Sequence, residues 1–301
     1  MAFAVPNDTV LVSDGGLASE LEARGHDLSD PLWSARLLVD APAEIEAVHS
    51  AFRRAGAAIA TTASYQASFD GFAARGFDRA ATTRLLHRSV ELARAAGARW
   101  VAASIGPYGA ARADGSEYRG RYGLPVAALA AWHRPRLEVL AAAGPDVLAL
   151  ETIPDLDEAA ALVKLVADVG VPAWLSYTID GATTRAGQPL REAFAVAAGV
   201  PHLVAVGVNC CSPADVLPAI AVAAEVTGKP VIVYPNSGER WEHGRWAGRP
   251  QFSAELAADW AAAGARIVGG CCRVRPADIA AVARVLRRTC NQCENSAEKS
   301  H

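Results

Sequence analysis

The stretch VLALETIPDLDEAAALVKLVADVGVPAWLSYT, from Val147 to Thr178, contains the pattern that decides the fold. Two short apolar runs, Val147–Thr152 and Ala173–Thr178, flank a segment whose apolar residues recur at helical spacing. Short strands that alternate with helices predict β–α–β units and a parallel sheet. Both runs are apolar at nearly every position, which is typical of a parallel sheet covered on both faces.

The same alternation runs along the rest of the chain. Six further apolar runs occur, with Ala-, Leu- and Arg-rich helical patterns between them: Val10–Asp14, Ala58–Ser64, Trp100–Gly106, Leu203–Asn209, Val231–Asn236 and Arg266–Gly270. Eight units predict an α/β protein with the (β/α)8 TIM-barrel fold, which usually takes about 250 residues. The alternative, an open doubly wound sheet, normally has G-x-G-x-x-G after its first strand. Here that strand runs into DGGLASE, which lacks this spacing. We therefore predict one barrel domain over residues 1–289 and a polar, disordered tail over residues 290–301.

Composition and charge argue against several classes of protein. The 301 residues are 51% hydrophobic and 20% charged, which suits a globular protein with a large core. A net charge of -3 gives no electrostatic reason to expect nucleic acid or an anionic membrane as a partner. The first residues lack the basic and apolar regions of a secretory signal. The longest stretch without a charge, Ala193–Ala214, is interrupted by Gly199 and Pro201, so we predict a helix end, a loop and a strand there. These features predict a cytoplasmic protein.

The cysteines carry the strongest chemical signal. Six cysteines are too few for a disulfide scaffold, and clustered cysteines in a reducing compartment more often bind metal or catalyse. Two adjacent pairs occur, in GVNCCSP and in VGGCCRV. Cys210 follows the sixth predicted strand, Cys271 and Cys272 follow the eighth, and the carboxyl ends of barrel strands meet on one face. Three thiols there form a soft ligand set suited to Zn²⁺, with the open fourth position of a catalytic site. We therefore predict one Zn²⁺ per chain.

Other roles for the cysteines remain open at this stage. Each could pack as a small buried hydrophobe, and either adjacent pair could form a vicinal disulfide. Cys211 is expected to pack beneath a helix that starts at Ser212, although it could replace Cys210 as a ligand. Cys290 and Cys293 have C-x-x-C spacing, but no second pair accompanies them, so we expect them to have no part in the site.

Two carboxylates lie at the ends of the first and fourth predicted strands, Asp14 and Glu151. Both should face the mouth of the barrel beside the cysteines, where a pair of carboxylates could hold a substrate ammonium group. The alternative, an acid–base pair as in glycoside hydrolysis, would leave the cysteines without a role. His243, in the predicted loop NSGERWEHGRW, is expected to be an ordinary loop residue.

Seven motifs, in chain order, resemble those of the homocysteine S-methyltransferase family: DGGLASEL, TASYQAS, SIGPYG, ETIPD, GVNC, YPNSGE and GGCCR. They extend from Asp14 to Arg273, and the combination of G-x-N-C with G-G-C-C is specific to the family. The resemblance implies a zinc-dependent (β/α)8 barrel that methylates the thiol of homocysteine to give methionine. By matching motifs, it implies that Cys210, Cys271 and Cys272 are the zinc ligands.

The resemblance also implies the substrate contacts. Asp14 and Glu151 would hold the amino group of homocysteine. Backbone N–H groups around Gly15 and Gly16 would bind its carboxylate, and Asn209, inside the G-x-N-C motif, would support the site.

Within the family, SDPLWSARLL and GSEYRG resemble the stand-alone members that use S-methylmethionine or S-adenosylmethionine as the methyl donor. Betaine as the donor, a selenol such as selenocysteine or selenohomocysteine as the acceptor, and a barrel that binds metal or thiols without turnover remain alternatives. The chain departs from the family pattern at Ala63, where many relatives have an asparagine. Aromatic residues in loops at the mouth could stabilise a sulfonium by cation–π contact or could pack at the rim: Trp33, Tyr65, Tyr108, Tyr118 and Tyr122.

Overall fold

Eight parallel strands surround the centre of the molecule, and helices cover them on the outside. The structure is a computed structural model that describes residues 3–242 and 245–298, and the side chains of residues 3–239 and 247–288. In chain order the barrel strands β1 to β8 are Leu11–Val12, Ile59–Thr61, Trp100–Ile105, Val147–Ile153, Ala173–Tyr177, Leu203–Asn209, Val231–Tyr234 and Ala265–Val268.

The strands form one closed ring. Their order in the sheet is β1-β8-β7-β6-β5-β4-β3-β2, and each pair is parallel. A parallel bridge between Ser13 and Ile59 joins the two ends of this sheet. The N–H of Ala58 donates to the carbonyl of Val12 at the same place, at 2.8 Å. The predicted TIM barrel is therefore confirmed.

Helices connect the strands, as the alternating pattern predicts. The helices α1 to α12 are Leu17–Ala23, Leu37–Asp40, Pro42–Ala55, Phe69–Ala73, Arg79–Ala95, Tyr108–Arg112, Val126–Ala142, Leu156–Val169, Leu190–Ala195, Val216–Thr227, Ala254–Ala262 and Pro276–Glu298. Three short 3₁₀ helices add to the loops: Trp33–Arg36, Ser116–Tyr118 and Pro213–Asp215.

Helix α8, between β4 and β5, shows how local sequence sets these bounds. It begins after Asp155, whose side chain accepts a hydrogen bond from the N–H of Asp157 at 3.1 Å. It ends at Gly170, which has a left-handed φ of 69° and therefore suits a residue without a Cβ. Leu162 and Leu165 lie on its buried face. Capping and one apolar stripe thus place this helix against the barrel.

Side chains fill the barrel below the carboxyl ends of the strands. Trp174 is fully buried and donates its indole N–H to the hydroxyl of Tyr234 at 3.0 Å. Phe3 packs edge-on against Trp100, at the start of β3, with 5.5 Å between the ring centroids. The amino-terminal end of the barrel is therefore closed by apolar packing, and cavities form at the opposite end.

Two short antiparallel hairpins in the carboxyl-end loops were not predicted. Ile179–Asp180 pairs with Thr183–Thr184, and Arg240–Glu242 pairs with Arg245–Ala247. Strands of two or three residues are too short to show a period-two pattern. Within the stretch 193–214, by contrast, the end of α9, a loop and β6 follow one another as predicted. Among the described residues, no helix is long and apolar enough to cross a membrane.

The last helix is longer than the sequence suggested. Helix α12 runs to Glu298, so its backbone includes residues 290–298, which we expected to be a disordered tail. The physical reason is that no proline or glycine interrupts the chain there. Residues 299–301 of that tail lie outside the described residues, as does His243.

Candidate active site

Three cysteine thiols converge at the carboxyl end of the barrel. The Sγ atoms of Cys210, Cys271 and Cys272 lie within 4.8 Å of one another. The Sγ atoms of Cys210 and Cys272 are 3.7 Å apart. Cys210 directly follows β6, and the other two cysteines lie just after β8. Strand ends that are 61 residues apart in the chain thus form one sulfur cluster.

Two glycines bring the adjacent thiols into this cluster. A Cβ on Gly269 would lie 2.8 Å from the carbonyl oxygen of Asp14, and one on Gly270 would lie 2.2 Å from the side chain of Val274. Both contacts are closer than real Cβ atoms tolerate. The N–H of Gly270 donates to the carbonyl of Asp14 at 3.0 Å. Close packing of neighbouring atoms, and not a positive φ, therefore requires glycine at both positions.

The backbone at Cys210 has an unusual conformation. Its φ is 50°, in the left-handed region, which costs free energy for a residue with a Cβ. Two contacts hold it there. The N–H of Cys210 donates to the carbonyl of Tyr234 at 3.2 Å, and the hydroxyl of Thr178 donates to the carbonyl of Cys210 at 3.1 Å. This turn points the thiol toward the cysteines after β8.

The thiols interact electrostatically with one another and with a tyrosine. Hydrogen bonds from the Cys271 and Cys272 thiols lower the pKa of Cys210. The hydroxyl of Tyr118 lies 3.2 Å from the Sγ atom of Cys210. Cys211 does not belong to this cluster, because it is fully buried in the core, where burial raises its pKa. Three thiols this close together form a soft donor set that fits a metal ion such as Zn²⁺.

Asp14, just after β1, is a buried carboxylate beside the cysteines. Its Oδ2 atom accepts a hydrogen bond from the N–H of Thr61 at 2.7 Å, and its Oδ1 atom accepts one from the hydroxyl of Thr61 at 2.9 Å. Burial raises the pKa of Asp14 to about 7, although these hydrogen bonds lower it. The carboxylate is therefore held in one orientation, and no cationic side chain among the described residues lowers its pKa.

Glu151, in β4, is in a similar environment. It is 7% exposed, and its Oε1 atom accepts a short hydrogen bond from the hydroxyl of Ser104. Burial raises the pKa of Glu151 to about 7, and the negative charge of Asp14 adds to this effect. Both carboxylates and all three clustered cysteines line one inner cavity of about 90 Å³. A cation bound there would relieve the cost of burying the two carboxylates.

Gly15 and Gly16 also line the inner cavity, but they differ in what they offer. The N–H of Gly16 donates to the carbonyl of Val274 at 2.9 Å, so it is already in use. A Cβ on Gly16 would lie 2.5 Å from the carbonyl oxygen of Cys271. The loop before α1 therefore packs directly on the cysteine turn, and Gly15 lines the cavity together with the first residues of α1, Leu17 and Ala18.

Asn209 precedes Cys210, but its side chain points elsewhere. Its Oδ1 atom accepts hydrogen bonds from the N–H of Thr152 at 2.8 Å and from the hydroxyl of Ser176 at 2.7 Å, while its Nδ2 atom donates to the hydroxyl of Thr152 at 2.7 Å. Thr152 has a φ of 59°, a strained value for a β-branched residue. Asn209 thus joins the ends of β4, β5 and β6 beneath the site, and it lines neither cavity.

An outer cavity of about 1140 Å³ opens above the cluster. Trp33, Tyr65 and Tyr118 line it, with the rings of Trp33 and Tyr65 6.2 Å apart. Tyr108 and Tyr122 do not line it, and they pack on each other with ring centroids 5.2 Å apart. Of the five aromatic residues considered from the sequence, these two are therefore rim packing.

The sequence reasoning missed the charged residues that line the outer cavity, among them Glu117 and Arg185. Glu117 belongs to the quoted GSEYRG motif, which was a usable signal, whereas Arg185 follows an unpredicted hairpin and has no local signal. The side chains of Cys290 and Cys293 lie outside the described residues.

Known proteins similar to this chain agree with the geometry. The family model described as homocysteine S-methyltransferase matches residues 11–286. The Escherichia coli (strain K12) protein named homocysteine S-methyltransferase is 47% identical over 291 residues, covering 91% of this chain and 94% of the relative. Homocysteine S-methyltransferase 4 of Zea mays is 45% identical over 305 residues, covering 92% of this chain and 89% of the relative. The crystal structure of the metallated form of the homocysteine methyltransferase MmuM from Escherichia coli superposes with a TM-score of 0.82 at 46% identity, covering 91% of this chain and 96% of that one. This chain therefore belongs to the homocysteine S-methyltransferase family.

Proposed function

We propose that this enzyme transfers a methyl group from a sulfonium donor to the thiolate of L-homocysteine and so produces methionine. S-Methylmethionine is the first choice of donor, and S-adenosylmethionine is the second. One Zn²⁺ per chain would be held by Cys210, Cys271 and Cys272. The observation that carries this proposal is that three convergent thiols and two buried carboxylates line the same inner cavity.

The sulfur end of the cavity suits a thiol substrate. A free alkyl thiol is mostly protonated at pH 7, and Zn²⁺ bound by three thiolates would deprotonate an incoming thiol while leaving it electron-rich. The residues of this chain supply the frame for that site. A backbone hydrogen bond to the carbonyl of Tyr234 holds Cys210, and the turn after β8 packs on Asp14 and Gly16.

The other end of the cavity suits an α-amino acid. Asp14 and Glu151 offer two buried carboxylates to the homocysteine ammonium group, and binding of that cation favours their ionised forms. The N–H of Gly15 and the first turn of α1 are the proposed partners of the carboxylate, since the N–H of Gly16 is occupied. Asn209 supports the site by fixing the neighbouring strand ends.

A sulfonium donor fits the chemistry of the mouth. Its leaving group is a neutral thioether, so no general acid is needed at the reacting centre. Trp33, Tyr65 and Tyr118 present aromatic rings to the outer cavity, where cation–π contacts contribute about 0.5–2 kcal/mol each. The main task left for the protein is to align donor and acceptor, which can supply several kcal/mol of the barrier reduction.

Incubation of the zinc-loaded protein with homocysteine and each donor in turn tests this proposal. S-Methylmethionine should give the higher kcat/KM, S-adenosylmethionine the lower, and methyl-folate no methionine. Turnover with betaine and none with either sulfonium would refute the donor assignment. A protein that binds zinc but makes no methionine from any donor would be a binding module.

A selenol acceptor is the second candidate. The selenocysteine Se-methyltransferase of Brassica oleracea var. italica is 39% identical over 322 residues and covers 96% of this chain. Equal amounts of homocysteine and selenocysteine in one assay, with both products quantified, decide between them. We place the reaction in the cytoplasm, because three unpaired thiols in one cluster require a reducing compartment.

A further inference from the structure

Arg185 presents a positive charge to the outer cavity with little to neutralise it. The guanidinium carbon lies 6.0 Å from the centroid of the Tyr118 ring. Within the described part of the chain, its ion-pair contact is a long one, 3.8 Å to Asp180, whose side chain is 80% exposed. The Nε atom of Arg185 is buried and has no hydrogen-bond partner among the described residues. This geometry leaves the guanidinium available to an anionic ligand.

The position of Arg185 is tied to the sulfur cluster. The backbone N–H of Arg185 donates to the carbonyl of Thr178 at 3.3 Å, and the hydroxyl of Thr178 donates to the carbonyl of Cys210 at 3.1 Å. Tyr118 lies between Arg185 and Cys210. Its ring faces the guanidinium of Arg185, and its hydroxyl lies 3.2 Å from the Sγ atom of Cys210. A ligand held by Arg185 is therefore held next to the cysteines.

Glu117 supplies a negative charge to the same cavity. It precedes Tyr118 in the 3₁₀ helix Ser116–Tyr118 and lines the outer cavity. Its Oε2 atom is buried without a hydrogen-bond partner, and no cation is paired with it among the described side chains. Burial raises the pKa of Glu117 to about 7, as expected for a carboxylate that lacks a cation. The cavity thus contains an unpaired carboxylate and a weakly paired guanidinium on two different loops.

We propose that Arg185 and Glu117 determine donor specificity, with Arg185 binding the α-carboxylate of an amino-acid sulfonium and Glu117 binding its α-ammonium group. This proposal rests on the proposed function. A guanidinium binds a carboxylate through two parallel hydrogen bonds, and each of the two charges gains a partner. In the transfer, the bond from the sulfonium sulfur to its methyl carbon breaks, the electron pair stays on that sulfur, and the homocysteine thiolate forms the new carbon–sulfur bond.

The test compares the variants Arg185→Gln and Glu117→Gln with wild type, with Arg119→Gln as a matched control. Arg119 is an exposed arginine near Glu117 that does not line the cavity. Both variants should raise the KM for S-methylmethionine about tenfold to a hundredfold, the range expected for loss of a hydrogen bond to a charged group. The KM for homocysteine should stay within about twofold of wild type, which a general loss of structure would not allow. Arg185→Lys should recover part of the loss, because it keeps the charge without the planar fork.

Inhibition by sulfonium ions separates the two roles. Dimethylsulfoniopropionate has the carboxylate but no ammonium group, and trimethylsulfonium has neither. Arg185→Gln should weaken inhibition by the first ion, Glu117→Gln should not, and neither variant should change inhibition by the second. An unchanged KM for S-methylmethionine in both variants would overturn the proposal. Weaker inhibition by trimethylsulfonium in Glu117→Gln would overturn the ammonium assignment, whereas wild-type protein without sulfonium turnover would refute the proposed function itself.

Discussion

Replacing Glu151 by glutamine should change stability and substrate binding in opposite directions. The carboxyl is 7% exposed, and burial raises its pKa from 4.5 to about 7. The folded protein therefore keeps a proton that the unfolded chain releases across that window, so the contribution of Glu151 to stability falls as pH rises from 4.5 to about 7. A pKa raised by this much changes the free energy of unfolding by about 3 kcal/mol between pH 4.5 and pH 8, a large part of the stability of an ordinary domain.

Glutamine at this position is neutral at every pH and has nearly the same shape. The variant should match wild type near pH 4.5 and exceed its free energy of unfolding by up to about 3 kcal/mol at pH 8. Urea unfolding of the metal-free proteins at several pH values measures this difference. Glu138→Gln is the matched control, since the side chain of Glu138 is 52% exposed. Such a surface change should stay within about 0.5 kcal/mol of wild type.

Binding should show the cost of this substitution. Loss of a charge-assisted hydrogen bond to the substrate ammonium should raise the KM for homocysteine about tenfold to a hundredfold at pH 8. Zinc content should stay at that of wild type, because the proposed partner of Glu151 is the substrate. Loss of zinc would place Glu151 in the coordination shell. A stability difference that does not depend on pH would refute the reasoning from burial.

Four further substitutions, one of them a control, test the frame of the site. Cys271→Ala should lose zinc and methionine formation together, while the control Cys211→Ala should keep both. Metal analysis and a turnover assay measure the two properties, and full zinc content in Cys271→Ala would refute the ligand assignment. Gly16→Ala places a Cβ 2.5 Å from the carbonyl of Cys271, so zinc affinity should fall at least about tenfold in a chelator competition, and unaltered affinity would count against this packing. Asn209→Ala leaves the N–H of Thr152 without its acceptor and should lower the free energy of unfolding in urea by about 1–3 kcal/mol, and an unchanged free energy would count against this structural role.

The sequence by itself determined the fold and the height of the functional residues along the barrel axis. Eight apolar runs separated by helical patterns specify a closed parallel barrel. Every strand of such a barrel brings its carboxyl end to the same face, so Cys210 after β6 and Cys271 after β8 had to lie at one end. Asp14 and Glu151 could be placed there by the same reasoning. The two hairpins were missed because strands of two or three residues have no readable period.

Only the tertiary structure decided which way each side chain points at that face. Asn209, Cys210 and Cys211 are consecutive, yet the first binds Thr152 and Ser176, the second joins the sulfur cluster and the third enters the core. The left-handed backbone at Cys210 separates these directions, and contacts to residues far away in the chain hold it. The N–H of Gly16 is likewise occupied by a carbonyl 258 residues later in the chain, at Val274. No local pattern encodes such pairings, because the direction of a side chain follows from backbone torsions and partners that meet only when the barrel closes.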